Sequence, residues 1–168
     1  MSGHIDIVFV ILNYRIYKET INCISSIVKN LDTQNYHIVV VDNYSENKSG
    51  ERLREKYKNN SKVSIFISES NCGFARGNNI GIEYAQKYEP KYIYCINNDT
   101  LIDQKDFFAN LEDIYNRTEA AVIFPLVFGR QYQIYTPYAG LKTMSDYYRI
   151  IDNVKEELDK LVAKKIRM

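Results

Sequence analysis

This 168-residue chain has few of the residues that build dedicated cofactor sites, with three cysteines and two histidines. Cys23, Cys72 and Cys95 are odd in number, lie far apart, and include no pair at metal-ligand spacing. With only His4 and His37 to add, the composition argues against a zinc centre, and unpaired thiols fit a reducing cytoplasm. An excess of one charge is also missing. Lys and Arg number 22 against 21 Asp and Glu, a formal charge of +1. That balance gives no polyanion-binding surface and excludes nucleic acid as the expected partner. Long hydrophobic runs are absent from the start of the chain. Ile5 to Leu12 is too short to span a bilayer, contains Asp6, and lacks the basic segment of a signal peptide. The expectation is a soluble, cytoplasmic protein. Neither a GxGxxG sequence nor a Walker loop occurs, which disfavours dinucleotide dehydrogenases and P-loop NTPases.

Hydrophobic residues make up 45% of the chain and charged residues 26%, enough for one well-packed domain. "IDIVFVIL" (5–12), "HIVVVDN" (37–43), "KVSIFIS" (62–68) and "YIYCINN" (92–98) are short, apolar, β-favouring runs. "AAVIFPLVF" (120–128) reads as a fifth strand that Pro125 pushes towards an edge or ends early. Helices are expected between them over 21–31, 49–57, 75–88 and 104–116. Strands that are nearly continuous apolar runs and alternate with helices predict an α/β fold. Its sheet is mostly parallel and covered on both faces. Gly129 to Gly140 resists assignment.

Ligands of an open parallel sheet bind beyond the carboxyl ends of its strands. Here the runs end in "NYR" (13–15), "DNYS" (42–45), "SESNCGFARGNN" (68–79) and "NNDT" (97–100). One such end is ordinary turn chemistry, but four together favour a site. Gly73, Gly77 and Gly81 recur every fourth residue, so on a helix they share one face. Gly81 suits close packing on the sheet, and Gly73, at the loop's turn, suits a ligand passing over the helix start. Asp99, flanked by Asn97 and Asn98, suits a hard cation such as Mn²⁺ or Mg²⁺, which takes oxygen ligands from carboxylates, phosphates and water. The alternative is an Asp that caps the turn running through Thr100 to Asp103.

The ordered set "VILNYR", "VVVDNYS", "NCGFARGNNIGI" and "INNDT" resembles the family 2 glycosyltransferases of the GT-A fold. The bacterial, rhamnosyltransferase-like branch that builds cell-surface polysaccharide is the most similar. The likeness covers roughly residues 5–140. It implies a nucleotide-diphosphate-sugar donor carrying uridine or thymidine, a saccharide or lipid-linked acceptor, metal assistance and inversion. By this resemblance Tyr14 stacks on a pyrimidine with Asn13 beside it, and Asp42 accepts hydrogen bonds from the base or ribose. Asn71 and Gly73 shape the loop over the nucleoside, while Asn78 and Asn79 approach the ribose or diphosphate. Asn97 and Asp99 occupy the ends of the family's Asp-x-Asp motif, with Asp99 as the metal ligand. Asn97 stands where many members have Asp, so one carboxylate is offered where they offer two.

The resemblance also calls for a general base in the second half of the domain, and no residue is nominated for it. The chain is read as a donor half over 1–141, apparently truncated there, followed by a C-terminal amphipathic helix over 142–168. Met144, Tyr147, Ile151, Val154, Leu158 and Leu161 of that segment alternate by three and four. Such a seam packs on its own sheet or pairs with a second copy of the chain. Lys160, Lys164, Lys165 and Arg167 leave open a peripheral position at a membrane surface, though Glu156, Glu157 and Asp159 offset them. The competing functional reading is a truncated or degenerate homologue that binds nucleotide sugar or a partner chain without catalysis.

Overall fold

Alternate side chains of the first strand divide the molecule into layers. In the computed structural model, which describes residues 5–123, that strand is Ile7–Asn13 (β1). Ile7, Phe9 and Ile11 face one way and Val8 and Val10 the other, and all five are fully buried. A strand buried on both sides must lie inside the sheet with cover above and below. The elements that follow are Tyr17–Asn30 (α1), Tyr36–Asp42 (β2), Ser49–Tyr57 (α2), Val63–Ile67 (β3), Gly73–Gln86 (α3), Tyr92–Asn97 (β4) and Phe107–Thr118 (α4). The sheet order is β3-β2-β1-β4 and every pairing is parallel.

On the first face, Phe9, Ile11, Ile38 and Val40 pack with Cys23, Ile24 and Ile27 of α1, Leu53 of α2, and Phe107, Phe108 and Leu111 of α4. On the second face, Val8, Val10, Val39 and Val41 pack with Ala85, Ile80 and Tyr84 of α3. Burying one such aliphatic or aromatic side chain contributes about 1.5–3 kcal/mol, so these layers dominate the stability. The close approach of α3 explains two of its glycines. A Cβ on Gly77 would lie 2.5 Å from Leu12 Cδ1, and one on Gly81 would collide with Val10 Cγ1.

Most expected elements fall within a few residues of the observed ones. Helix α1 begins four residues before the expected start because Thr20, a polar residue outside the apolar periodicity, is fully buried. Helix α4 begins later, at Phe107, where its exposed first-turn amides find an acceptor far away in sequence. The N–H groups of Phe108 and Ala109 donate to the two Asp32 carboxylate oxygens at 2.7 and 2.9 Å. Glu119 ends α4 in a left-handed conformation (φ 48°), and residues 120–123 after it are irregular. The start of the expected fifth strand is therefore not strand. Its remainder, the stretch to Gly140 and the C-terminal helix lie outside the described residues.

The opposite end of the sheet holds a buried aromatic group. His37 is 6% exposed, its Nε2 lies 2.9 Å from Ser64 Oγ, and its ring stacks on Tyr88 at 4.1 Å. Burial first, and the neighbouring Lys87 charge second, push its pKa down to about 4.

Two outcomes follow for stability. Gly81→Ala should lower unfolding free energy by about 1–3 kcal/mol through overpacking against Val10, although alanine favours helices; denaturant titration of the chain reads this. His37 is neutral in the folded chain down to about pH 4, whereas an unfolded histidine takes up its proton near pH 6.5. Stability should therefore be at its plateau above pH 6.5 and fall as pH drops from there towards 4, by about 3 kcal/mol at most. His37→Phe should flatten that slope in thermal melts recorded across the same range.

Candidate functional site

Parallel pairing places the four strand ends side by side, because Asn13 pairs with Asp42, Asp42 with Ile67, and Leu12 with Asn97. The centre of this edge is a buried polar cluster. Asn13 is fully buried and Asp42 is 1% exposed. Asn13 Nδ2 donates to Asp42 Oδ2 at 2.5 Å and to Ser49 Oγ at 2.9 Å. Ser49 Oγ also donates to Asp42 Oδ2 at 3.1 Å, and the Ser45 N–H donates to Asp42 Oδ1 at 2.9 Å. Thr20 Oγ1 donates to Asn13 Oδ1 at 2.7 Å. A carboxylate this deep in the protein is tolerable only because each oxygen accepts at least one hydrogen bond. The first turn of α2 closes over it, since a Cβ on Gly50 would lie 2.8 Å from Asp42 Cγ.

Above this cluster the loops after β1 and β2 are tied together. The Arg15 N–H donates to Ser45 Oγ at 2.8 Å, Asn47 Nδ2 donates to the Arg15 carbonyl at 2.7 Å, and the Arg15 guanidinium pairs with Glu46 at 2.8 Å. Arg15, Tyr44 and Lys48 all have left-handed backbones, with φ of 65°, 61° and 61°. Such conformations are costly for non-glycine residues and persist where surrounding structure holds them. They leave Tyr14 38% and Tyr44 48% exposed at the rim, with the Arg15 guanidinium 4.7 Å from the centre of the Tyr14 ring.

The loop before α3 is built around Asn43, a residue the sequence reading did not single out. Asn43 is 4% exposed and its amide contacts Asn71, Cys72 and Gly73. Gly73 has φ of 80°, and nothing lies within 4 Å of the place where its Cβ would stand, so this glycine serves backbone conformation and open space above it. Asn78 Nδ2 donates to the Phe74 carbonyl at 3.0 Å, while Asn79 is exposed on the helix. Ser68 is another residue not foreseen. It is 5% exposed, and its hydroxyl has no hydrogen-bond partner among the described residues.

At the end of β4, Asn97 and Asp99 are exposed and Asn98 is half-buried. Asn98 turns inward, donating to Thr20 Oγ1 at 3.1 Å, which joins this loop to the Asn13 cluster. The Thr100 N–H donates to the Asn97 carbonyl at 3.0 Å, so the turn is closed by backbone, and Asp99 does not cap it. Beneath lies Cys23, whose Sγ is 3.8 Å from the Asn97 carbonyl oxygen. Its thiol pKa is pushed up to about 12, by burial and then by the negative Asp99, so Cys23 stays neutral. Among the described residues no three His, Cys, Asp or Glu side chains gather into a metal cluster. One accessible carboxylate fits a cation that draws its other oxygens from a bound diphosphate and water.

Comparison with known proteins extends this picture. A model of Glycosyl transferase family 2 matches residues 6–163. The dTDP-rhamnosyl transferase RfbF of Shigella flexneri is 25% identical over 126 residues, 75% of this chain and 41% of RfbF. The crystal structure of S. aureus TarS 1-349 matches with a TM-score of 0.57 at 19% identity, over 68% of this chain and 33% of TarS, as does its complex with UDP. The mannosyltransferase PcManGT from Pyrobaculum calidifontis, in complex with GDP-Man and Mn²⁺, matches with a TM-score of 0.52 at 13% identity, over 68% of this chain and 33% of PcManGT. The chain thus spans 41% of RfbF and a third of TarS, and at these identities the structural likeness is one of fold.

Asp42 and Asp99 should respond differently to truncation. Asp42→Ala strands the Asn13 amide and the Ser49 hydroxyl in a dry site and should cost about 2–4 kcal/mol of stability. Asp99→Ala, at an exposed position, should change it by about 0.5 kcal/mol or less. Urea unfolding of both variants measures the contrast.

Proposed function

Because the chain belongs to glycosyl transferase family 2, with the mostly parallel α/β arrangement of the GT-A fold, we propose that its carboxyl edge binds a nucleotide-diphosphate sugar. On this reading the chain supplies the donor side of a sugar transfer to a saccharide or lipid-linked acceptor, with inversion at the sugar, in cell-surface polysaccharide synthesis. The observation that carries the proposal is the convergence of four parallel strand ends on one edge. A buried Asn13–Asp42 cluster lies beneath that edge and the exposed carboxylate of Asp99 stands beside it. The first donors to try are dTDP- and UDP-sugars. RfbF is named for a dTDP-rhamnosyl donor and a TarS structure contains UDP, and both nucleotides are pyrimidines.

The residues take roles that their positions allow. Tyr14, at the rim, offers its face to the base. Asn13 and Asp42 act from below, holding the ends of β1 and β2 in register, and Asp42 Oδ1 keeps one lone pair for a base or ribose donor. Asn71 and Gly73 shape the loop over the nucleoside, with Asn78 and Asn79 along the first turns of α3 towards the ribose and diphosphate. That helix has no acidic residue in its first turn, so its amide end favours an anion. Asn97 and Asp99 face the diphosphate, and Asp99 would hold a divalent cation such as Mn²⁺ or Mg²⁺. Such an ion, once bound, neutralises negative charge on the departing nucleotide. Because only one carboxylate is offered, the cation should bind weakly until the nucleotide brings its phosphate oxygens.

No helix among the described residues is long and apolar enough to cross a membrane. A donor site open at a sheet edge is compatible with an acceptor presented at a membrane surface. A second copy, pairing through the C-terminal segment, is the other partner this proposal admits.

Asp99→Ala should abolish the metal-dependent part of nucleoside diphosphate binding while leaving the metal-free part unchanged. Asp42→Ala should weaken binding with or without metal. Calorimetric titration of both variants with dTDP and UDP checks this, and an Asp99→Ala chain that kept its full response to Mn²⁺ would overturn the metal assignment. Incubation with dTDP- and UDP-sugars should release free nucleotide. Binding without any release would favour a donor-binding homologue over an enzyme.

A further inference from the structure

Among the described residues of this edge, Asn43 spends its whole hydrogen-bonding capacity on a single loop. Its Nδ2 donates to Asn71 Oδ1 at 3.1 Å and to the Gly73 carbonyl at 3.3 Å. Its Oδ1 accepts from the Cys72 N–H at 3.1 Å and lies 3.2 Å from Cys72 Sγ. Two donors and two lone pairs are what an amide possesses, and all four are engaged. Asn43 itself is fixed, since it is 4% exposed and its N–H donates to the Asn13 carbonyl at 2.8 Å. The loop that it grips leads directly into the left-handed Gly73 and the first turn of α3.

We propose that Asn43 is a positioning residue for the donor: its amide latches residues 71–73 in the shape that admits the nucleotide over Gly73. This rests on the donor-binding reading above and adds a residue and a chemical requirement to it. The requirement is for an amide rather than a carboxylate. A carboxylate at position 43 would set oxygen against Asn71 Oδ1 and against the Gly73 carbonyl. Turning the Asn71 amide around does not relieve this, because Asn71 Oδ1 also accepts the Gly73 N–H at 3.0 Å. The latch therefore works as a unit, and losing the two Nδ2 donors frees the whole loop. A loop that spends only a tenth of its time in the binding shape lowers apparent affinity about tenfold.

The test compares the wild-type 168-residue chain with Asn43→Asp in calorimetric titrations with UDP and dTDP in the presence of Mn²⁺, at pH 7.5 and pH 5. It is paired with hydrogen exchange over residues 69–76. At pH 7.5 Asn43→Asp should bind about tenfold more weakly or worse, with faster exchange at Cys72 and Gly73. At pH 5 the gap from wild type should narrow, because burial, the two facing acceptor oxygens and the adjoining Asp42 all favour a protonated carboxyl at position 43, which regains one donor for Asn71 or Gly73. A merely structural defect would give the same ratio at both pH values, and that result overturns the proposal. So does wild-type affinity with unchanged exchange at pH 7.5. Should Asn43→Asp be too unstable to titrate, Asn43→Ser takes its place. Its hydroxyl reaches one partner at most, the same loss at pH 7.5 is expected, and undiminished affinity overturns the latch. Absence of nucleotide binding by the wild-type chain overturns the donor reading and the positioning role with it. Binding by wild type that survives in the variant overturns the positioning role alone.

Discussion

The edge where the strands end depends on one buried carboxylate. Asp42 is 1% exposed, yet it receives hydrogen bonds from Asn13, Ser45 and Ser49, which belong to a strand, a loop and a helix. Those bonds make the desolvated charge tolerable and fix the three elements to one another. The left-handed residues Arg15, Tyr44 and Lys48 lie in the loops thus tied down, and the same ties hold the two tyrosine rings outward. Rigidity below and exposed groups above is an arrangement suited to binding, since the ordering of the loops is completed during folding and not when a ligand arrives.

The apolar layers supply the stability that this polar cluster draws on. The interior strands β1 and β2 are sealed on both faces, whereas β4 is buried only at Ile96 among its six residues. Asn97 and Asp99 leave the sheet from this less covered strand, and that leaves them accessible. Asp42 is held by hydrogen bonds from three elements, whereas Asp99 stands exposed to solvent. Among the described residues, Asp42 ends a strand with a neighbour on each side, whereas Asp99 follows β4, whose residues apart from Ile96 are less covered.

Much of the fold was legible from local pattern. Continuous apolar runs such as "IVFVIL" and "IVVVD" can be satisfied only between two layers of helices, and the helical periodicity placed α1 to α4 within a few residues. The spacing of Gly73, Gly77 and Gly81 pointed to a shared helix face with close packing at Gly81, and both Gly77 and Gly81 meet the sheet, against Leu12 and Val10. The turn residues marked the edge as a place of interest. What local pattern could not convey was which side chains meet. Asp42 and Asn13 were read as nucleotide-binding groups; that they also bind each other across 29 residues of chain is visible only in the fold. Asn43 sat inside a noted motif, yet its partners at 71–73 become visible only when two loops are brought together. Asp32 as the acceptor for the start of α4, 76 residues away, was beyond sequence reasoning for the same cause.

The most direct measurement is calorimetric titration of the wild-type chain with dTDP and UDP, each with and without Mn²⁺. A donor edge with a single metal-ligating carboxylate predicts measurable binding of at least one nucleotide, clearly strengthened by Mn²⁺, with little uptake of Mn²⁺ alone. Failure of both nucleotides to bind in the presence of the metal would contradict the account, leaving the buried Asp42 cluster as a feature of folding only.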